Sequence, residues 1–395
     1  MTISTLTFRT NALADMEALQ TALTQTQAEL STGTRLPNAA ANPEAMAQVN
    51  ELNMQLAASK QYVSNGNTAS GNLQLEQSAL TTATNTLQSA RDLAIEANNS
   101  AMSPADRLDI ATQLEQLQQA LLGAANGTDS AGNYLFAGAA SGTQPFAETG
   151  GSVSYQGDSQ VNQVQISAGQ SVSAGDAGNS VFMHIPAGNG TFITAAGAAN
   201  TGSGSIDPGS VTNPAAWVPD TYTISFTSPT QYQVTNSAGA VVTAGAYTSG
   251  SAIAFNGVEA TVSGAPAAGD QFTVAPAGKA SVFSTIAGLI TTLKSTTLTG
   301  AQITTRIGTA IKQIDNGLSS FDSVQASIGG RLNAISAVAN GAQTQQTQLQ
   351  RAVSQLSDTD YAAAVTQLST QELALQAAQQ SYASIAKLSL FNYVS

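Results

Sequence analysis

Read along the chain, the spacing of apolar positions is helix-like at both ends and alternating in the middle. Met16, Leu19, Leu23 and Leu30 step by threes and fours, with Thr26 in the vacant place and Leu6 and Leu13 leading in. This is the narrow stripe of a helix over residues 6–31 that needs a partner helix. Gly33 suits its C-terminus. At the far end Leu349, Val353 and Leu356 precede the break at 357–360. A second stripe then runs through Tyr361, Val365, Leu368, Leu375, Tyr382, Ile385 and Leu388. Stripes this thin predict that the two ends pair with each other and then with the ends of other copies.

Between them, Asn42, Pro43 and Glu44 open a long helix, with a capping side chain, proline at the first position and an acid in the first turn. It carries a heptad of Leu73, Leu80 and Leu87 interleaved with Ala69, Ala83 and Ala90, and fades near residue 98. Ser103, Pro104 and Asp106 start another helix, ending near Gly123, whose apolar face includes Leu108, Leu114, Leu117 and Leu121. Tyr134, Leu135 and Phe136 read as a strand or hairpin. From about 138 to 276 the period becomes two and the composition turns to Gly, Ser, Thr, Pro and Asn. Strands are expected at 153–155, 164–166, 181–185, 222–226, 232–234, 253–255, 258–262 and 272–274. Asn256 and Gly257 form a hairpin turn, and 188–219 reads as loop. Helical spacing resumes at Val282, Ile286, Leu289 and Leu293, and again from Ile303 onwards, with Gly329 and Gly330 marking a bend or a close approach.

The expected fold class is therefore α+β and multidomain: a long antiparallel helical bundle or coiled coil from both termini, with an inserted all-β module that is a sandwich or small barrel. The expected division is 1–40 with 357–395 as a terminal helical domain, 41–138 with 277–356 as a helical rod carrying a small hairpin, and 139–276 as the β insertion.

Composition narrows the function. Only 9% of the 395 residues are charged and the formal charge is −12, with 12 Lys and Arg in all, so the clustered cations that grip nucleic acid or an anionic membrane are missing. Cysteine is absent, which removes thiol catalysis and Cys-based metal sites. The N-terminus lacks the basic flank and apolar core of a Sec-type signal peptide. His184 is the single histidine, so no two-histidine metal site exists. Within an apparent strand it reads as structural or exposed. The carboxylate pairs Asp106 with Asp109 and Asp358 with Asp360 sit at helix starts. Capping, by Asp358 as by Asn42 and Ser103, accounts for them better than catalysis does. No phosphate-cradling glycine motif occurs. The expectation is a protein that is not an enzyme and needs no cofactor or metal.

Several stretches resemble the flagellin superfamily and, within it, the hook-associated proteins of type 3. Residues 26–36 (TQAELSTGTRL), 61–65 (QYVSN) and 90–98 (ARDLAIEAN) resemble its N-terminal blocks. Residues 132–138 (GNYLFAG), 358–362 (DTDYA) and 388–394 (LSLFNYV) resemble the type 3 proteins, and 155–158 (YQGD) is the best match in the middle. Where many relatives carry an acidic turn, this chain has Ala41, Asn42 and Pro43, leaving the cap to Asn42. The resemblance implies an axial subunit of the extracellular flagellum at the junction of hook and filament, exported without a cleaved signal. Its implied partners are copies of itself, hook-associated protein type 1, flagellin and a cytoplasmic export chaperone. A filament flagellin is the nearer alternative. A surface-adhesive or glycan-binding β module on a helical stalk is the more distant one, and with Trp217 the single tryptophan no cluster of exposed aromatics supports it.

Magnitudes favour assembly over an isolated hairpin of helices. Ordering roughly 35 residues at each end costs on the order of 1–2 kcal/mol per residue. Each large apolar side chain returns about 1.5–3 kcal/mol on burial. The ends alone are marginal.

Overall fold

The structure, a computed structural model, describes residues 2–35, 42–99 and 101–391, with the side chains of residues 2–6, 8 and 385–391 outside that description. Six α-helices are described: α1 Thr2–Thr32, α2 Pro43–Ala97, α3 Pro104–Ala125, α4 Val282–Lys294, α5 Gly300–Ser357 and α6 Tyr361–Phe391. Packing draws two compact units, 1–64 with 338–395 and 65–337. The division falls inside α2, between residues 64 and 65, and inside α5, between residues 337 and 338, and both helices run unbroken through these points. The β insertion shares a unit with the inner helices.

Local chemistry accounts for the helix starts. Asn42 Oδ1 accepts the Ala45 amide at 3.1 Å. Ser103 and Asp106 form a reciprocal box, each side chain accepting the other's backbone N–H at 3.2 Å. Helix α3 passes Gly123 and ends at Asn126, whose amide bonds Leu122 O at 3.0 Å. In the unit 65–337 the heptad Leu73, Leu80 and Leu87 is fully buried, as are Ala69, Ala83 and Ala90. Helix α3 packs on α4, and Arg91 on α2 pairs with Asp315 on α5 at 2.6 Å. Helix α5 continues unbroken through Gly329 and Gly330, and a Cβ at either would meet nothing within 4 Å, so the expected close approach is not there.

Residues 139–191 differ most from expectation. Two hairpins lie here, β1 Phe146–Thr149 with β2 Ser152–Tyr155 and β3 Gln163–Ser167 with β4 Gln170–Ser173. The run 181–185 is not a strand. Asn179–Met183 form a π-helical turn, followed by the two-residue strand β5 Ile185–Pro186. The turn buries the adjacent Val181 and Phe182 together, which a strand with one buried face does not do. Nor is Tyr134 to Phe136 a strand. Tyr134 makes one isolated bridge to Thr128, and the Asp129 carboxylate organises the loop by accepting the Ala131 and Asn133 amides at 2.8 and 2.9 Å. The loop delivers Phe136 to an aromatic core. Phe182 sits at its centre, 5.0 Å from Phe136, 5.4 Å from Phe146, 5.2 Å from Phe321 and 5.9 Å from Phe283 between ring centroids. All five rings are buried.

The sandwich occupies the rest of the insertion. One sheet has the order β11-β10-β9-β14-β6, built from Val241–Ala246, Gln231–Thr235, Tyr222–Ser228, Gln271–Pro276 and Phe192–Ala196. The other pairs β12 Ala252–Phe255, β13 Val258–Ser263 and β7 Ser205–Ile206, with β8 Ser210–Val211 also on β13. Every pairing is antiparallel. Alternate residues Tyr222, Ile224, Phe226, Phe272 and Val274 of one sheet meet Ile253, Val258 and Val262 of the other in a buried core. Asn256 at φ 43° and Gly257 at φ 74° make the β12–β13 turn, as a two-residue hairpin of this twist requires. The stretch expected to be loop, 188–219, supplies β6, β7 and β8, strands of two to five residues too short to show a period. The sandwich is seated on α5 by side chains along one helix: Gln302 Nε2 donates to Gly197 O at 3.0 Å, Ile206 N to Thr305 Oγ1 at 3.1 Å, and Asn316 Nδ2 to Pro186 O and Gly188 O at 2.9 Å each.

Candidate assembly surface

The two ends of the chain pair within the unit 1–64 with 338–395, where α1 packs along α6. On α1, Thr26 is 3% exposed and Met16, Leu19, Leu23 and Leu30 are half-buried around it. On α6, Ala364 is 6% exposed, and Leu368, Gln371, Leu375, Ala378 and Tyr382 are half-buried, in steps of four and three. The seam therefore uses Ala364, Gln371 and Ala378, which the apolar pattern passed over because small and amide side chains do not register in it. Leu13, Tyr361 and Val365 are 46%, 56% and 51% exposed and stand outside the seam in the single chain. The side chains of Leu6, Ile385 and Leu388, also expected in the seam, lie outside the described residues.

A clasp closes one end of this pair. Helix α1 stops at Gly33, whose φ of +72° favours glycine, and its amide bonds Glu29 O at 2.9 Å. The chain then runs antiparallel to the α5–α6 turn, with a bridge between Thr34 and Asp358. Arg35 N donates to Ser357 O at 2.7 Å and Thr359 N to Gly33 O at 3.0 Å. The Arg35 guanidinium adds a bond to Leu356 O at 3.2 Å. The N-cap of α6 is Asp360 and not Asp358. The helix begins at Tyr361, so the carboxylate able to reach its first amides is the one before it, and Asp360 Oδ1 accepts Ala362 N and Ala363 N at 3.0 and 3.1 Å. Asp358 instead accepts the hydroxyls of Ser354 and Ser357 at the end of α5.

Gly33→Ala, which forces a Cβ into the left-handed region, should destabilise the clasp by about 1–2 kcal/mol. Faster amide exchange at Arg35 and Thr359 is the expected sign, and unchanged exchange would remove the clasp from the account.

His184 is exposed, with Nδ1 2.9 Å from Asn179 O. Among the described residues no group of His, Asp and Glu is placed to hold a metal ion, and no helix is long and apolar enough to cross a membrane. The carboxylates of Asp106 and Asp360 accept backbone amides at helix starts, from Ser103 and Ala362. Tyr155 of the 155–158 stretch has a structural place: its Oη lies 2.7 Å from Asp158 O and 3.0 Å from Phe136 O, beside the aromatic core.

Residues 3–141 match the bacterial flagellin N-terminal helical region, and 306–394 match the flagellin C-terminal helical region. Residues 195–276, almost the whole sandwich, match the D2-like domain of flagellar hook-associated protein 1. Flagellar hook-associated protein 3 of Escherichia coli is 34% identical over 157 residues, 40% of this chain and 49% of that protein. The chain thus spans about half the length of the curated relatives it matches. The crystal structure of Xanthomonas campestris FlgL superposes with a TM-score of 0.72 at 33% identity, covering 77% of this chain and 99% of that one. That of flagellar hook-associated protein 3 from Legionella pneumophila gives 0.75 at 33% identity, covering 78% and 98%. The α+β architecture, the paired terminal helices and these matches together show that the chain belongs to the flagellar hook-associated protein 3 (FlgL) family.

Proposed function

We propose that this chain is a structural axial protein of the bacterial flagellum, placed at the junction between hook and filament. The observation that carries the reading is the clasped pair of terminal helices, which brings the two flagellin-like ends of one chain together. Leu13, Val365 and Leu373 remain outward on that pair, and Leu373 is 69% exposed. Burial of these side chains against further copies would supply the stabilisation a thin two-helix seam lacks. In an open tube such contacts are heterologous, so each face meets a different face of the next subunit. Hook-associated protein type 1 is the partner on the hook side and flagellin on the filament side. A cytoplasmic chaperone holds the C-terminal helix before export to the extracellular flagellum. The protein carries out no chemistry in this role. Electron microscopy of a strain lacking the chain tests it: hooks without filaments, with flagellin shed into the medium, are expected, and normal filaments would overturn the proposal.

A further inference from the structure

Glu76 lies on α2 in the unit 65–337. It is 1% exposed, and neither carboxyl oxygen meets a described donor within full hydrogen-bond geometry, although the side chain and the backbone N–H of Asp176 both approach it. It lines a cavity of about 220 Å³ with Asn72, Asn162 and Asp176, and with Asp129 from the loop after α3. Asp176 follows β4 and pairs with Arg331 of α5, whose guanidinium also reaches Gly175 O at 3.1 Å and Ser173 O at 3.3 Å. Three segments therefore converge on Glu76: its own helix, the loop after β4, and α5 through Arg331.

An unpartnered buried carboxylate is costly, and two ligands could relieve it. A hard cation wants a shell of six to eight oxygens. Among the described residues no three acidic or histidine side chains are grouped to hold one, and Arg331 already supplies positive charge beside Asp176. A proton needs only one acceptor, and Asp176 is the one that faces Glu76.

We propose that Glu76 is a proton-binding site, sharing its proton with Asp176, and that this proton fastens the loop after β4 to α2 and α5. Burial, and then the charge of Asp176, push the Glu76 carboxyl up to about 9, against the opposing pull of Arg331. A raised acid holds its proton in the folded state while the unfolded chain has lost it. Stability from this group is therefore complete below the ordinary carboxylate range and declines as pH rises through the window up to about 9.

Equilibrium unfolding of the full chain and its Glu76→Gln variant from pH 5 to 10, with infrared spectra of both, is the test. Relative to the Gln variant, the wild-type folding constant should fall about tenfold per pH unit across the window. A protonated-carboxyl stretch should be present at pH 7 in the wild type alone and vanish as the pH passes about 9. That spectroscopic loss can be read in the wild type even if the variant fails to fold. A pH-independent difference, or no protonated-carboxyl signal at neutral pH, overturns the proposal. So does a rise in wild-type melting temperature with calcium chloride that the Gln variant does not share, since the cavity would then hold a cation.

Discussion

Replacing residues 192–276 with a short Gly/Ser linker should leave the helical body folded, whereas replacing 139–276 should unfold it. The sandwich enters and leaves through register partners, Phe192 opposite Pro276, so its ends already lie at strand spacing. The bond from Ala277 N to Thr191 O at 2.9 Å and the β5 pairing with Lys279–Ala280 lie outside the shorter deletion and continue to hold the cut ends together. Gln302 and Thr305 lose their partners but turn to water. The longer deletion also removes Phe146 and Phe182, two rings of the buried aromatic core. Loss of each is worth about 3–5 kcal/mol, and together they rival the whole stability of a domain, about 5–15 kcal/mol. Helical circular dichroism and cooperative melting distinguish the two constructions. A folded longer deletion beside an unfolded shorter one would mean the aromatic residues do not form the core of this unit.

The second large effect concerns the seam. Leu375→Asp places a charge among half-buried groups of the α1–α6 pair, within the unit 1–64 with 338–395. An uncompensated buried charge costs about 3–5 kcal/mol, a hundredfold or more in each association step. Filament growth should fail while the 65–337 unit melts as in the wild type. Leu375→Met, which conserves volume, should restore growth. Full-length filaments on cells carrying Leu375→Asp would show that this face takes no part in assembly. Leu368→Asp, one heptad earlier on the same face, should behave alike.

Much of this architecture was legible in the residues. The helices announced themselves through spacing and caps, because a heptad such as Leu73, Leu80 and Leu87 and a box such as Ser103 with Asp106 are local signals. The sandwich strands with strong alternation, around Tyr222, Ile224 and Phe226, were equally plain. What escaped was decided by tertiary packing. The π-turn at Asn179–Met183 exists because Phe182 fills the space between four other rings, which no local period encodes. Residues 139–191 share the Gly- and Ser-rich composition of the sandwich, yet their two hairpins are separate from its sheets, a distinction composition does not carry. At the seam, Ala364 and Ala378 hold places that a count of large apolar side chains leaves blank. The cap of α6 was displaced by two residues because Asp358 and Asp360 are chemically alike, and only the helix start distinguishes them.

The most direct test of a junction role is immunogold electron microscopy of intact flagella with an antibody raised against the 192–276 sandwich. A single narrow band of gold where the hook meets the filament is the expected result. Gold along the whole filament, or none on the flagellum, would contradict it.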